Sequence, residues 1–235
     1  MKTGTGSVAV QLILLSASLP AYAQQTETRP LTDFTSVAVG GGIDLFLRQG
    51  DRFVVEVSSE DLADIVTEVH TGTLEISRPK RSSFFDWGDH GSVRVTLPSL
   101  AALTASGGSD VATEGSISGG SISGDKLRLV ASGGSDVVID VSVATLDVQA
   151  SGGSDVRLSG SARSARVQSS GGSDLNASGL TADEADVNSS GGSDLSIAVR
   201  DKIVGNASGG SDVSYTGEPS TVDVNSSGGS DVSRR

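Results

Sequence analysis

Residues 146–158 read LDVQASGGSDVRL. Apolar or small side chains stand at Leu146, Val148 and Ala150 and, past the glycines, at Val156 and Leu158, while Asp147, Gln149 and Arg157 fill the places between. Successive side chains of a β-strand point to opposite faces, so this alternation describes two strands, each buried on one face and wet on the other. A Gly-Gly corner joins them. A helix is excluded on two grounds: the apolar positions lack its spacing, and each glycine in a helix interior costs about 1 kcal/mol relative to alanine.

The same pentapeptide, Ser-Gly-Gly-Ser-Asp, occurs seven times, ending at Asp110, Asp136, Asp155, Asp174, Asp194, Asp212 and Asp231. Successive spacings are 26, 19, 19, 20, 18 and 19 residues, and the long first interval holds Glu114–Gly124 (EGSISGGSISG), which reads as a loop insertion. The flanks repeat too, as Leu127/Leu129/Ala131 before one turn and Val137/Ile139 after it. Each unit reads as strand, tight turn, strand and polar return. One such unit cannot bury its apolar face alone, whereas stacked copies place Leu on Leu and Val on Val in a continuous core. The expected fold is all-β, a single-chain β-solenoid with coils about 4.8 Å apart, so seven coils give a rod about 34 Å long. Glycine at the corner answers a need for positive φ or close approach between layers.

The bulk properties bound the setting. Lys2, the apolar run Val8–Leu19 and Ala21-Tyr22-Ala23 match the three parts of an export signal, with cleavage expected before Gln24. That run is too short to span a bilayer, and no later stretch approaches the required length, so no membrane span is expected after cleavage. There is no cysteine, hence no lipid-anchored cysteine and no disulfide framework. After the signal, 16 basic residues face 29 acidic ones, a net charge of −13, which excludes nucleic acid and anionic membrane surfaces as natural partners. The expected division is a signal peptide at 1–23, an irregular β part at 24–100, and the repeat at 101–235.

Residues 30–98 lie outside the repeat but still read as β: Phe34–Val39, Ile43–Leu47, Phe53–Val57, Leu74–Ser77 and Val93–Leu97. Asp61–Val69 is ambiguous between short helix and strand. The simplest arrangement continues the stack with less regular coils and closes one end. The runs FTSVAVGGGIDLFLRQGDRFVVEVSS (34–59), TEVHTGTLEIS (67–77) and VRVTLPSLAALTASGGSDV (93–111) resemble the head GIN domain family, for which an auto-transporter-like adhesin role is proposed. The resemblance spans Phe34–Asp231. It implies a pectin-lyase-like, right-handed parallel β-helix and a role in cell adhesion, and it supplies no catalytic or ligand-binding residue to carry over. No barrel translocator pattern follows the repeat to match the auto-transporter part of that description.

Several constellations invite chemistry. If the turns stack in register, Asp110, Asp136, Asp155, Asp174, Asp194, Asp212 and Asp231 form a surface ladder. Neighbouring unit charges at about 4.8 Å repel by about 0.9 kcal/mol in a water-like dielectric. Either each Asp caps its own turn and stays wet, or a row of Ca²⁺ ions relieves the charge. The calcium β-roll has a nine-residue repeat, unlike the period near nineteen found here, which favours the capping reading and no cofactor. The serine columns could offer hydroxyls to a glycan or could satisfy turn backbone. Phe84, Phe85 and Trp87, beside Lys80 and Arg81, could form a contact patch or fold over the solenoid end as a cap. His70 and His90 lack metal-ligand spacing, and no nucleophile elbow, phosphate loop or HExxH occurs. These features point away from an enzyme and towards an exported surface or matrix protein binding a glycan or protein. A Ca²⁺-stabilised envelope protein and a carbohydrate-active β-helix enzyme are the alternatives. With little sequence after Asp231 to cap the last coil, a homo-oligomer is expected.

Overall fold

The structure, a computed structural model, describes residues 24–79, 91–114 and 120–235. The signal at 1–23 and the aromatic group Phe84, Phe85 and Trp87 lie outside the described residues, as does His90. The strands are β1 (Gln25–Arg29), β2 (Ser36–Gly40), β3 (Asp44–Gln49), β4 (Val54–Ser59), β5 (Val66–His70), β6 (Thr73–Ser77), β7 (Ser92–Leu97), β8 (Ala102–Ser106) and β9 (Asp110–Thr113). They continue as β10 (Ile122–Ser132), β11 (Asp136–Ser151), β12 (Asp155–Ser170), β13 (Asp174–Ser190), β14 (Asp194–Ser208), β15 (Asp212–Thr216), β16 (Thr221–Ser226) and β17 (Asp231–Arg234). The fold is a parallel β-solenoid with a less regular N-terminal sheet, as the alternation and the repeat predict.

In the repeat, each strand lies parallel to its successor with like residues paired: Val137 on Val156, Leu146 on Ala165, Val148 on Val167. The inward side chains form columns along the axis. One column runs Val137, Val156, Leu175, Leu195 and Val213, none more than 2% exposed. Full burial of such a side chain contributes about 1.5–3 kcal/mol, which is what an isolated coil would forgo. The expected polar return is itself strand. β11 runs unbroken from Asp136 to Ser151 because Val141 and Val143 carry the apolar alternation through the second corner.

The long first interval is also resolved by register. Ala112 pairs with Val138 and Ile122 with Val141. The extra residues therefore lie between Ala112 and Ile122, and Ile122–Gly124, expected in the loop, is strand. At the second corner in β12, Gly160 has φ 105°, and a Cβ there would run into the Val141 carbonyl oxygen of the preceding coil.

The N-terminal part departs from a stack in simple chain order. β2 pairs with both β6 and β8, and β3 with both β7 and β9, all parallel. The first coil in the chain is thus sandwiched between two formed later. Beyond β6 and β7 the pattern turns antiparallel: β4 lies on β7, β1 on β4 and β5 on β6. The β5–β6 hairpin has a two-residue turn, Thr71-Gly72, with both φ positive (47° and 77°), the geometry that matches the right-handed strand twist. The ambiguous stretch is a 3-10 turn at Leu62–Asp64, with the Asp61 carboxylate accepting from the Ala63 N–H, followed by β5. Arg29 ties this end together: its guanidinium donates to the carbonyls of Leu62 (3.0 Å) and Ile65 (2.7 Å) and to Thr67 Oγ1 (2.9 Å). Among the described residues no helix is long and apolar enough to cross a membrane.

Candidate functional site

The turn decides which side chains reach the surface. In Ser151–Asp155, Gly152 and Gly153 both have left-handed φ, 69° and 74°, but for different reasons. A Cβ on Gly152 would sit 3.3 Å from the Gly133 nitrogen of the coil beneath, whereas one on Gly153 would meet nothing within 4 Å. The first glycine answers a stacking constraint and the second only a backbone one. The second serine then closes the turn from inside: Ser154 Oγ donates to the Ser151 carbonyl (2.9 Å) and accepts from the Ser151 N–H (3.1 Å). Ser135, Ser173, Ser193 and Ser211 donate to the matching carbonyl, at 2.8 to 3.0 Å. Apart from Ser230, these second serines are wholly buried.

The second serine thus satisfies turn backbone, one of the two roles the sequence left open for the serine columns, because its hydroxyl can donate and accept inside one tight corner. The carboxylates are left to face outward. Asp110, Asp136, Asp155, Asp174, Asp194, Asp212 and Asp231 stand in register on successive coils. Asp155 is half-buried and the other six are exposed. None of the seven is in an ion pair among the described residues. The pKa of Asp136 is raised above the ordinary carboxylate value, first by the desolvation that the surrounding chain imposes even on this exposed side chain, then by the charges of Asp110 and Asp155, against smaller opposing effects of Arg157 and the Asp155 backbone.

An eighth member is Asp44. Leu45 pairs with Val111, and Gly41 lies under Gly107, so Gly41-Gly42-Ile43-Asp44 occupies the same turn as Gly107-Gly108-Ser109-Asp110. Ile43 replaces the capping serine, and the Ile43 N–H is satisfied instead by Ser109 Oγ at 3.3 Å. Relaxing the motif from SGGSD to Gly-Gly-x-Asp would find this turn in the sequence.

Two residues further along each strand, a second outward column runs Arg94, Phe46, Ala112, Val138, Arg157, Asn176, Ser196, Ser214 and Ser233. It changes character along the axis. Arg94 lies over the Phe46 ring at 5.3 Å, and Val138 is exposed, so its first part is apolar and bracketed by arginines. From Asn176 onward it is amide and hydroxyl. Ser196 Oγ and Ser214 Oγ are 2.9 Å apart, and Asn176 Oδ1 accepts from Ser178. Away from these columns, His70 Nε2 sits 2.9 Å from Glu68 Oε2, which, with Glu75, raises its pKa at the surface. Among the described residues no three His, Cys, Asp or Glu side chains converge as a metal cage requires.

Parallel coils, one serine-closed turn per coil and a carboxylate edge define a β-solenoid with a repeated acidic rim. Within that class the chain belongs to the head GIN domain family: the family model described as "Putative auto-transporter adhesin, head GIN domain" matches residues 33–219. Among solved structures it is similar to a "putative adhesin" from Bacteroides fragilis, with TM-score 0.81 and 22% identity, covering 92% of this chain and 99% of that one. A "putative adhesin" from Parabacteroides merdae has TM-score 0.71 and 17% identity over 90% and 96% of the two chains. A "putative lipid binding protein" from Parabacteroides distasonis has TM-score 0.67 and 16% identity over 90% and 96%. At these identities the likeness concerns the fold. A search of curated proteins found no match.

Proposed function

We propose that this is an exported, non-enzymatic surface or matrix protein that adheres through the flank of its solenoid. The observation that carries the reading is the carboxylate rim, which repeats in register from Asp44 to Asp231 with its side chains outward and outside any ion pair among the described residues. A catalytic site concentrates unlike groups in one cleft. Here like groups are spread evenly along an edge, which suits a repetitive ligand met at many points. The export motif at the N-terminus and the family's proposed adhesin role support the same reading.

The test is a glycan and matrix-protein array probed with the purified protein, with and without Ca²⁺. Saturable capture is expected, weakened at least about tenfold, or about 1.4 kcal/mol, in the triple variant Asp155→Asn, Asp174→Asn, Asp194→Asn at unchanged melting temperature. Capture indifferent to the triple variant would remove the rim from the function. The register of the carboxylates also favours a second reading, a Ca²⁺-stabilised envelope protein. Calorimetric titration with Ca²⁺ that gives neither heat nor a shift in melting temperature would eliminate it.

A further inference from the structure

The rim borders a groove of about 310 Å³ on the outer face of the strands that leave the last turns, a volume at the lower end of small-ligand sites. Its wall is Asp174, Asp194, Asp212 and Asp231; its floor includes Asn176, Ser196, Ser214 and Ser233. Arg157 and Arg235 also line it, the former on the coil before Asp174 and the latter four residues past Asp231. Floor residues pair in register, so one polar group recurs about every 4.8 Å along the axis.

Two of these groups have hydrogen-bonding capacity to spare. Ser196 and Ser214 share a single hydroxyl–hydroxyl bond, so whichever oxygen accepts still carries a proton to donate. Ser214 is only 6% exposed while Ser196 is half-buried, so the pair presents its spare proton at the groove floor from the Ser196 side. Asn176 commits its carbonyl oxygen to Ser178, and its NH₂ has no partner among the described residues.

We infer that this groove binds a linear oligosaccharide free of acidic groups, laid along the solenoid axis. Its hydroxyls meet the serine and asparagine floor, and any amino groups it carries meet the carboxylate wall. An apolar ligand finds little to bury there, because most of the lining is polar or charged. A polyanion meets four carboxylates. A lone cation leaves the floor donors unused. A sugar polymer carries donors and acceptors on both edges and repeats at a rise close to the coil spacing. The site gives chemical content to the adhesive role proposed above and rests on it.

The experiment is calorimetry of the purified protein with four probes: N-acetylglucosamine tetramer, its de-acetylated tetramer, tetragalacturonate, and spermine as a bare polycation. Both glucosamine-based tetramers are expected to bind, the free amine form about tenfold tighter, a difference of about 1.4 kcal/mol, and tetragalacturonate not at all. Ser196→Ala with Ser214→Ala weakens both sugars. Asp194→Asn with Asp212→Asn abolishes only the preference for the amine. Since Ser214 is buried, Asn176→Ala on the surface provides a second floor variant whose folding is not at issue, and it should also weaken both. Absence of heat with both tetramers overturns the inference. So does spermine binding as tightly as the amine tetramer, with only the Asp variants affecting either, because that is charge attraction alone. Array capture that survives all the groove variants overturns the site and leaves the adhesive role standing; a silent array removes both.

Discussion

The coils from Asp136 to Ser208 and the layers built from residues 24–97 share one hydrophobic core but fix their order by different means. In the repeat, sequence neighbours are spatial neighbours: each strand meets its own near-copy, so the stack matches apolar to apolar along most of its length, with register shifts after Arg157, Ala177 and Ala182. In the N-terminal layers the partners are distant in sequence. β2 lies between β6 and β8, and antiparallel β1, β4 and β5 cover the end. The first region is held by repetition and the second by specific ties such as Arg29. Repetition makes a structure easy to extend, while a cap requires residues that occur once.

The largest expected effect breaks the repeat from within. Gly160→Ala places a Cβ against the Val141 carbonyl at a positive φ, in a layer clamped by coils on both sides. A loss of about 3 kcal/mol or more is expected, read as a lower denaturant midpoint. A loss under about 1 kcal/mol would show that the coils yield more readily than their register implies.

Arg29→Ala addresses the other region. It removes three donors' worth of bonds to Leu62, Ile65 and Thr67, two of them to backbone carbonyls, at an expected cost of about 2–3 kcal/mol. Hydrogen exchange should locate the damage. Amides of β1 and the 3-10 turn should exchange faster while those of β12 and β13 keep their protection. Uniform loss of protection throughout would show one cooperative unit and erase the distinction drawn above.

This contrast also explains what the sequence reveals and what it hides. The inward columns and the glycine corners in the repeat follow from period-two alternation and from seven copies of one motif, because local pattern and tertiary partner coincide; the run of strand through the second corner, where a polar return was expected, does not. The insertion of β2 and β3 between later strands does not follow, since Val37 pairs with Leu74 and Leu103 through apolar matches that many other pairings would satisfy. The acidic rim is legible except at Asp44, where Ile43 stands in for serine. The groove floor is not legible as a site: Asn176, Ser196, Ser214 and Ser233 read as ordinary outward positions, and only the shared Ser196–Ser214 bond and the burial of Ser214 distinguish them.

A smaller effect separates the paired glycines. Gly153→Ala incurs the left-handed backbone cost alone, about 1 kcal/mol, and Gly152→Ala adds contact with the coil beneath, bringing it to about 2 kcal/mol. Gly153→Asn should recover much of the loss, because asparagine tolerates left-handed φ. Equal losses at the two positions would mean that stacking does not constrain the turn.

The smallest effect is a gain, and it compares two members of the rim. The pKa of Asp136 is raised, by desolvation first and by Asp110 and Asp155 next. The folded state therefore holds this proton at a pH where the unfolded chain has released it. The group's destabilising contribution is complete at neutral pH and is relieved as pH falls through the raised value towards the ordinary one. Asp136→Asn should raise the melting temperature slightly at pH 7 and flatten the local rise in stability on acidification. Asp44 has the Asp110 coil on one side but Ser92 on the other, so it faces repulsion from one neighbour in place of two. Asp44→Asn should accordingly give the lesser gain. If it gave the greater one, repulsion between layers would not be what the rim costs the fold, and the carboxylates would be tolerated at Asp136 for reasons other than their ligand.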